Sequence, residues 1–226
     1  MNSPSTLPSD APLLRRLRTA WQALEVLKDE PTNEGWALAL NASLDHDVYV
    51  AMARQLRQTA EGRTLLDERP TLQGKDLDFA RFEALPPGTL GHEFVRYFRD
   101  NQISPFETTF ELRNDLDYIG KRYRETHDLF HVLTGYATDV IGEMELQAFV
   151  LGNIGIPSAA MILFFGTAGR LKEHGLKDLG AWLGRLRAAH RRGKQSRFLL
   201  SVPYERLWER QVNELSELLC APRVTS

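Results

Sequence analysis

The sequence predicts an all-α protein built as a single-domain helical bundle, and three observations carry that expectation. Apolar residues recur at three-to-four spacing in one segment after another: at 13, 14, 17, 21, 24 and 27, at 116, 119, 123, 130 and 133, and at 207, 212, 215 and 219. No stretch shows the alternation of a half-buried strand, and there is neither an internal repeat nor a glycine-rich phosphate loop. Punctuation is placed for helices, with Pro31, Gly135 and Pro157 each standing where one would end or begin.

Taken in order, residues 1–12 are rich in Ser and Pro and read as a disordered tail, which leaves 13–226 as one helical domain. The tail has no basic start and no apolar core, so it is not a signal peptide. Leu13 to Asp29 has the period of an amphipathic helix ended by Pro31, with a basic end that faces either solvent or an anionic membrane. Glu34 to Glu61 is a second helical region, interrupted at Asp45 or Asp47 and stopped by Gly62, with His46 at its surface or between helices. From Gly62 to Gly91 turn formers are too frequent for one long helix, so an ordered connector is expected. Leu90 to Asp100 is a short helix with Thr89 at its cap position, followed by a loop over 101–109.

After a helical hairpin over 118–153, Pro157 starts a helix whose apolar run, Ile156 to Phe165, is too short for a bilayer and reads as buried or as the wall of an apolar pocket. Asp178 to Arg192 is a helix ending in a basic run of Arg185, Arg187, Arg191, Arg192, Lys194 and Arg197. That run suits either the helix dipole or, with Phe198, Leu199 and Leu200 beside it, an anionic lipid surface. Ser201 and Pro203 open a last helix with Leu207, Val212, Leu215 and Leu219 inward.

With 226 residues, 42% hydrophobic and a mean hydropathy of −0.34, the chain can bury a sizeable core and is neither disordered nor integral to a membrane. A net charge of −2 gives no general attraction to nucleic acid. Cys220 is the only cysteine, which excludes an intrachain disulfide and fits a reducing compartment.

The chemistry-bearing residues gather in one stretch, YIGKRYRETHDLFHVLTGYATDVIGEME. His127 and His131 are four apart, so on a helix both imidazoles leave one face about one turn apart, as two ligands of one metal do. Asp128 stands beside them, and Glu143 follows His131 after eleven residues. On one continuous helix Glu143 would lie about 18 Å from His131, too far to share an ion. If the chain reverses at Gly135, position 143 returns to the level of position 127, and two histidines and two carboxylates converge. Arg124, one turn before Asp128 on the histidine stripe, is placed to hold an anionic head group or to pair with Asp128. An HD-type phosphohydrolase fits poorly, because His92 and Asp139 are badly spaced for it, and a zinc protease lacks the glutamate of HExxH.

The pattern of His127, Asp128, His131 and Glu143 resembles the Coq-four family of coenzyme Q (ubiquinone) biosynthesis, whose signature is HDxxH, eleven residues and a glutamate. Further matches lie in GRTLLDERP at 62–70, LPPGTLG at 85–91 and RYRETHD at 122–128. The sequence departs from the family at Phe106, Glu107 and Thr108, after Ser104-Pro105, and at Gln147, near where a lysine is usual. The resemblance implies an all-helical protein with a divalent metal at the four signature residues, zinc first and iron, manganese or magnesium as alternatives. It also implies a prenylated quinone precursor as ligand, other quinone-biosynthesis proteins as partners, and peripheral attachment to the inner face of a membrane from the cytoplasm. A homodimer is compatible with it. Two roles follow: an enzyme that replaces the carboxylate on ring carbon one by a hydroxyl, using His127, Asp128, His131, Glu143 and Arg124, or a lipid-binding scaffold for the biosynthetic complex. Zinc is redox-inert, so the first role on zinc would need the ring itself to react with oxygen.

Overall fold

The structure, a computed structural model, describes residues 11–30, 33–73, 77–104 and 112–223. The expected tail therefore lies outside the described residues through position 10, as do Phe106, Glu107 and Thr108. The fold is all-α: among the described residues every regular element is a helix, and one isolated β-bridge joins Thr89 to Gln211. The chain divides into two compact units, Met1–Leu77 with Pro105–Thr126, and Asp78–Ser104 with His127–Ser226.

In the first unit, α1 (Leu13–Asp29) packs on α2 (Glu34–Leu44), and α3 (His46–Leu56) packs on α4 (Ala60–Glu68). Helix α1 has the bounds expected of it, yet its buried stripe runs through Ala20, Ala23 and Val26 while Leu13, Leu14, Leu17 and Trp21 stay exposed. The buried face of α1 is thus made of small and medium residues, and the larger apolar side chains lie on the outer side of the helix. Asp45 is the interruption between α2 and α3, fully buried, with its carboxylate accepting the Tyr49 hydroxyl at 3.5 Å. Gly62, expected to stop a helix, sits instead in the first turn of α4, whose cap is Thr59 accepting from the Gly62 amide at 3.0 Å. A β-carbon there would collide with the Leu56 carbonyl oxygen, so glycine is required by the close return of the chain rather than by a helix end.

The N-terminal part of α7 (Asp115–Thr134) belongs to the same unit and carries charge inside it. Asp117, Lys121 and Glu125 are all buried. Asp117 accepts from Arg113 at 3.1 Å, Lys121 is ion-paired with Glu125, and Thr71 bonds both members of that pair, at 2.6 and 2.7 Å. Each charge lost to water is thereby matched by a partner.

In the second unit, α5 (Phe79–Glu83) and α6 (Leu90–Asn101) build an aromatic cluster with Trp208, whose ring lies 4.4 Å from Phe82 and 5.5 Å from Phe94. Helix α8 (Val140–Asn153) is the centre of this unit, packed by α9 (Pro157–His174) and α10 (Leu179–Gln195). The contact with α10 depends on Gly152 and Gly193, where β-carbons would strike the carbonyl oxygens of His190 and Phe149. At α9, Gly166 makes room for the Met144 side chain.

Three expectations are corrected in this unit. The segment from Ser201 forms two short 3-10 turns, and the last helix, α11 (Val212–Leu219), opens only at Val212. The reason is pairing at long range: the carbonyls of Arg210 and Trp208 accept from the Leu90 and Gly91 amides at 2.8 and 2.9 Å, which satisfies the free N–H groups at the start of α6. The basic run is partly internal, since Arg192 is buried and donates to the Thr134 carbonyl at 2.8 Å while Arg185 pairs with Glu145 at 2.9 Å; Leu199 and Leu200 beside it are buried as well. Helix α9 starts at Pro157 as expected, but it is not buried along its apolar run: Ile156 and Ala159 are inside, whereas Ile162, Phe164 and Phe165 are exposed.

Candidate metal centre

The last turns of α7 carry His127 and His131 on one face, and Gly135, with φ of 71°, ends that helix with its amide bonded to the His131 carbonyl at 2.9 Å. A left-handed residue is the ordinary way to stop a helix and turn the chain back. Asp139 then caps α8 by accepting from the Gly142 amide at 2.7 Å, which places Glu143 in the first helical turn beside the two histidines. The hairpin at Gly135 thus does what its position in the sequence requires.

Glu143 Oε1 lies 3.0 Å from His131 Nε2, and Oε2 lies 3.9 Å from His127 Nε2. One ligand-type atom from each of His127, His131 and Glu143 falls within 4.8 Å of the others. His131 is 2% exposed, and its Nδ1 is 2.9 Å from the Tyr136 carbonyl oxygen. A carbonyl only accepts, so Nδ1 carries the proton, and in the neutral ring Nε2 is left with its lone pair toward Glu143. That nitrogen is buried, and in the neutral ring it has no hydrogen-bond partner. A lone pair facing a carboxylate oxygen at 3.0 Å needs a cation between them, a proton or a metal ion, and two imidazoles with one carboxylate are a common donor set for a divalent metal. The residues present therefore fit a metal.

The charges agree with that reading. Burial opposes the imidazolium of His131, but the hydrogen bond and charge of Glu143 outweigh it and hold its pKa above the ordinary 6.5. Burial would likewise raise Glu143, yet His131 and the charge of His127 hold its pKa below 4.5.

Asp128 and Arg124, the other two expected site residues, lie on α7 with the histidines. Asp128 stays outside the three-residue cluster: its Oδ1 lies 3.7 Å from His127 Nδ1, on the far side of that ring from Glu143. Arg124, half-buried one turn before Asp128 on α7, belongs to the first unit. Gln147, one turn beyond Glu143 on α8, is buried with its amide oxygen unpartnered. His92 is 3.3 Å from Glu93 and Asp139 is a helix cap, so neither supports a phosphohydrolase arrangement.

Two contributors were not foreseen from the sequence. Tyr136 acts through its backbone carbonyl, for which no side-chain signal exists. Tyr97 on α6 lies with its ring 5.6 Å from that of His131 at 26° and its hydroxyl 3.5 Å from Asp128 Oδ1. A polar cleft of about 500 Å³ opens beside them, lined in part by Glu93, Arg96, Tyr97, Asp100, Asn101 and His131.

Comparison with known proteins agrees over nearly the whole chain. A family model described as coenzyme Q (ubiquinone) biosynthesis protein Coq4 matches residues 19–221. A mitochondrial ubiquinone biosynthesis protein COQ4 homolog of Danio rerio is 33% identical over 94% of this chain and 78% of its own length. Its Homo sapiens counterpart is 32% identical over 92% of this chain and 78% of its own. A crystal structure from Nostoc punctiforme, of a protein provisionally assigned to ubiquinone biosynthesis, superimposes with a TM-score of 0.72 at 26% identity, covering 90% of this chain and 95% of that one.

Proposed function

The chain belongs to the Coq4 family of coenzyme Q (ubiquinone) biosynthesis proteins, and from that premise we propose that it acts in ubiquinone biosynthesis. In this reading it holds one divalent metal ion at His127, His131 and Glu143 and takes the head of a prenylated phenolic acid there. The observation that carries the proposal is the His131 Nε2 atom, buried and aimed at a carboxylate oxygen 3.0 Å away while Nδ1 is committed to Tyr136. Zinc, iron and manganese all accept such ligands, with zinc the first expectation, and three protein ligands leave a position open for a substrate oxygen. When bound, the ion would supply a Lewis acid for the ring carboxylate or phenol oxygen, and iron or manganese would add redox capacity.

The residues around it supply the rest. Tyr136 fixes the tautomer of His131, the burial of His131 keeps water from its ligand atom, and the half-exposed Glu143 marks the side on which a ligand enters. The reaction read for this site replaces the carboxylate on ring carbon one by a hydroxyl. The bond to the carboxylate breaks with release of carbon dioxide, and a carbon–oxygen bond forms. One atom of dioxygen enters the ring, and the other leaves as water with two protons and two electrons from an external reductant.

One observation favours a second reading, a lipid-binding scaffold that gathers other quinone-biosynthesis proteins at a membrane surface. Helix α9 exposes Ile162 at 38%, Phe164 at 69% and Phe165 at 57%, a face suited to an isoprenoid tail or the acyl region of a bilayer. Turnover separates the two. Purified protein loaded with iron, manganese or zinc and given a prenylated hydroxybenzoate, dioxygen and a reductant should release carbon dioxide, and Glu143→Gln should not. Binding of the long-tailed acid with no turnover on any of the three metals would reject the enzyme and leave the scaffold.

A further inference from the structure

We propose that the segment following α11, residues 220–223, is a latch on the turn between α7 and α8: it opens and closes as a unit, and the turn is ordered only while the latch is closed. No metal at the cluster is needed for this. The segment has no helix or strand of its own, so its backbone takes partners from the end of α10. The Ala221 amide donates to Ser196 Oγ at 2.9 Å, and the Ala221 carbonyl accepts from Arg192 Nε at 2.7 Å. Just before it, the Leu219 carbonyl accepts from the Arg197 amide at 2.8 Å. Anchored there, the segment reaches the turn through Arg223, whose guanidinium donates to the Gly135 carbonyl at 3.2 Å and to Glu145 Oε2 at 3.3 Å.

The turn needs such partners. Carbonyls at the end of a helix have no intrahelical donor and carry the negative end of its dipole. At the end of α7 two of them are taken by guanidinium groups from elsewhere in the chain: Thr134 by the buried Arg192 at 2.8 Å, and Gly135 by Arg223. Both guanidiniums also stand over the Tyr136 ring, 5.3 and 4.8 Å from its centroid. Arg192 bonds latch and turn at once, through Ala221 and Thr134, so neither moves without disturbing the other. The two clasps differ in strength. Arg192 is buried, whereas the Arg223 side chain is 45% exposed, so its pairing with Glu145 is weakened by water and salt. Arg223 is therefore where the latch lets go first. Gly135 and Tyr136, which it holds, line the polar cleft beside the cluster, so the latch sets the shape of that wall.

Cys220 makes the latch measurable. It is the only cysteine, 6% exposed, and burial pushes its thiol up to about 11, so in the closed state it resists a thiol reagent. The rate at which dithiobis(nitrobenzoate) labels the full chain, relative to the same thiol in the unfolded chain, therefore reports opening. Arg223→Met should speed labelling about 3–10-fold. Deuterium exchange at the Gly135 and Tyr136 amides should speed in proportion, while the Phe149 and Val150 amides within α8 keep their rates. Raising the ionic strength to about 1 M should speed labelling and turn exchange in the wild type and leave Arg223→Met unchanged. Faster labelling with unchanged exchange at the turn would mean a segment that frays alone, and would overturn the proposal. Equal acceleration at Phe149 and Val150 would mark global unfolding and overturn it too, as would labelling indifferent to both salt and Arg223→Met. If Arg223→Met does not fold, the wild type in salt decides: joint acceleration of Cys220 and the turn supports the latch, and its absence rejects it.

Discussion

At the scale of single residues, His131 ties the site to pH in two opposite ways. Without metal, its raised pKa means that its pairing with Glu143 stabilises the fold fully below the ordinary value of 6.5, and that contribution is lost as pH rises through the raised value. The lowered pKa of Glu143 contributes in the other direction: its stabilisation is present above 4.5 and lost as pH falls through the depressed value. A metal ion bound at His131 would reverse the upper limb, because it would have to displace the proton on Nε2. Thermal unfolding should therefore show this pair's contribution to the metal-free protein declining as pH rises above 6.5, while the extra stability conferred by added zinc grows over the same interval. Zinc stabilisation independent of pH would contradict the assignment of His131. The convergence of His127, His131 and Glu143 was legible in the sequence, from the four-residue spacing of the histidines and a chain reversal at Gly135. Asp128 was grouped with them by the HDxxH pattern, and its carboxylate lies 3.7 Å from His127 Nδ1. Tyr97 and the Tyr136 carbonyl reach the site from another helix and from the backbone, and neither leaves a mark in a local pattern.

At the scale of elements, α8 is fixed by glycine on both sides of its contact with α10. A methyl group at Gly193 would meet the Phe149 carbonyl, and one at Gly152 would meet that of His190. Since Glu143 lies on α8, displacement there should be felt at the cluster of His127, His131 and Glu143. Gly193→Ala is expected to lower stability by about 1–3 kcal/mol in chemical denaturation, with weaker zinc binding in the folded fraction. An unchanged denaturation midpoint would refute the close packing. Element boundaries were legible where chemistry is local: Pro31 beyond α1, Gly135 after α7 and Pro157 at the start of α9. They failed where the deciding partner is distant. Gly62 answers to the Leu56 carbonyl, and the stretch before α11 is held open by the amides of Leu90 and Gly91. The stripe of α1 was misplaced for another reason, since apolar size was weighted over Ala20 and Ala23, which are buried.

At the scale of the whole molecule, no helix among the described residues is long and apolar enough to cross a membrane. If the chain meets lipid, the exposed apolar residues of α9 offer a surface for it, whereas in the basic run Arg192 is buried and Arg185, though exposed, is paired with Glu145. Replacing Phe164 and Phe165 together by serine should reduce sedimentation with anionic vesicles several-fold and leave the fold intact, since both side chains are exposed. Undiminished vesicle binding would return the contact to another face. The account depends above all on one ion at the Gly135 hairpin, and elemental analysis of the purified protein tests that most directly. It predicts close to one divalent metal per chain in the wild type and nearly none in a folded His131→Ala variant; an equal metal content in the two proteins would contradict it.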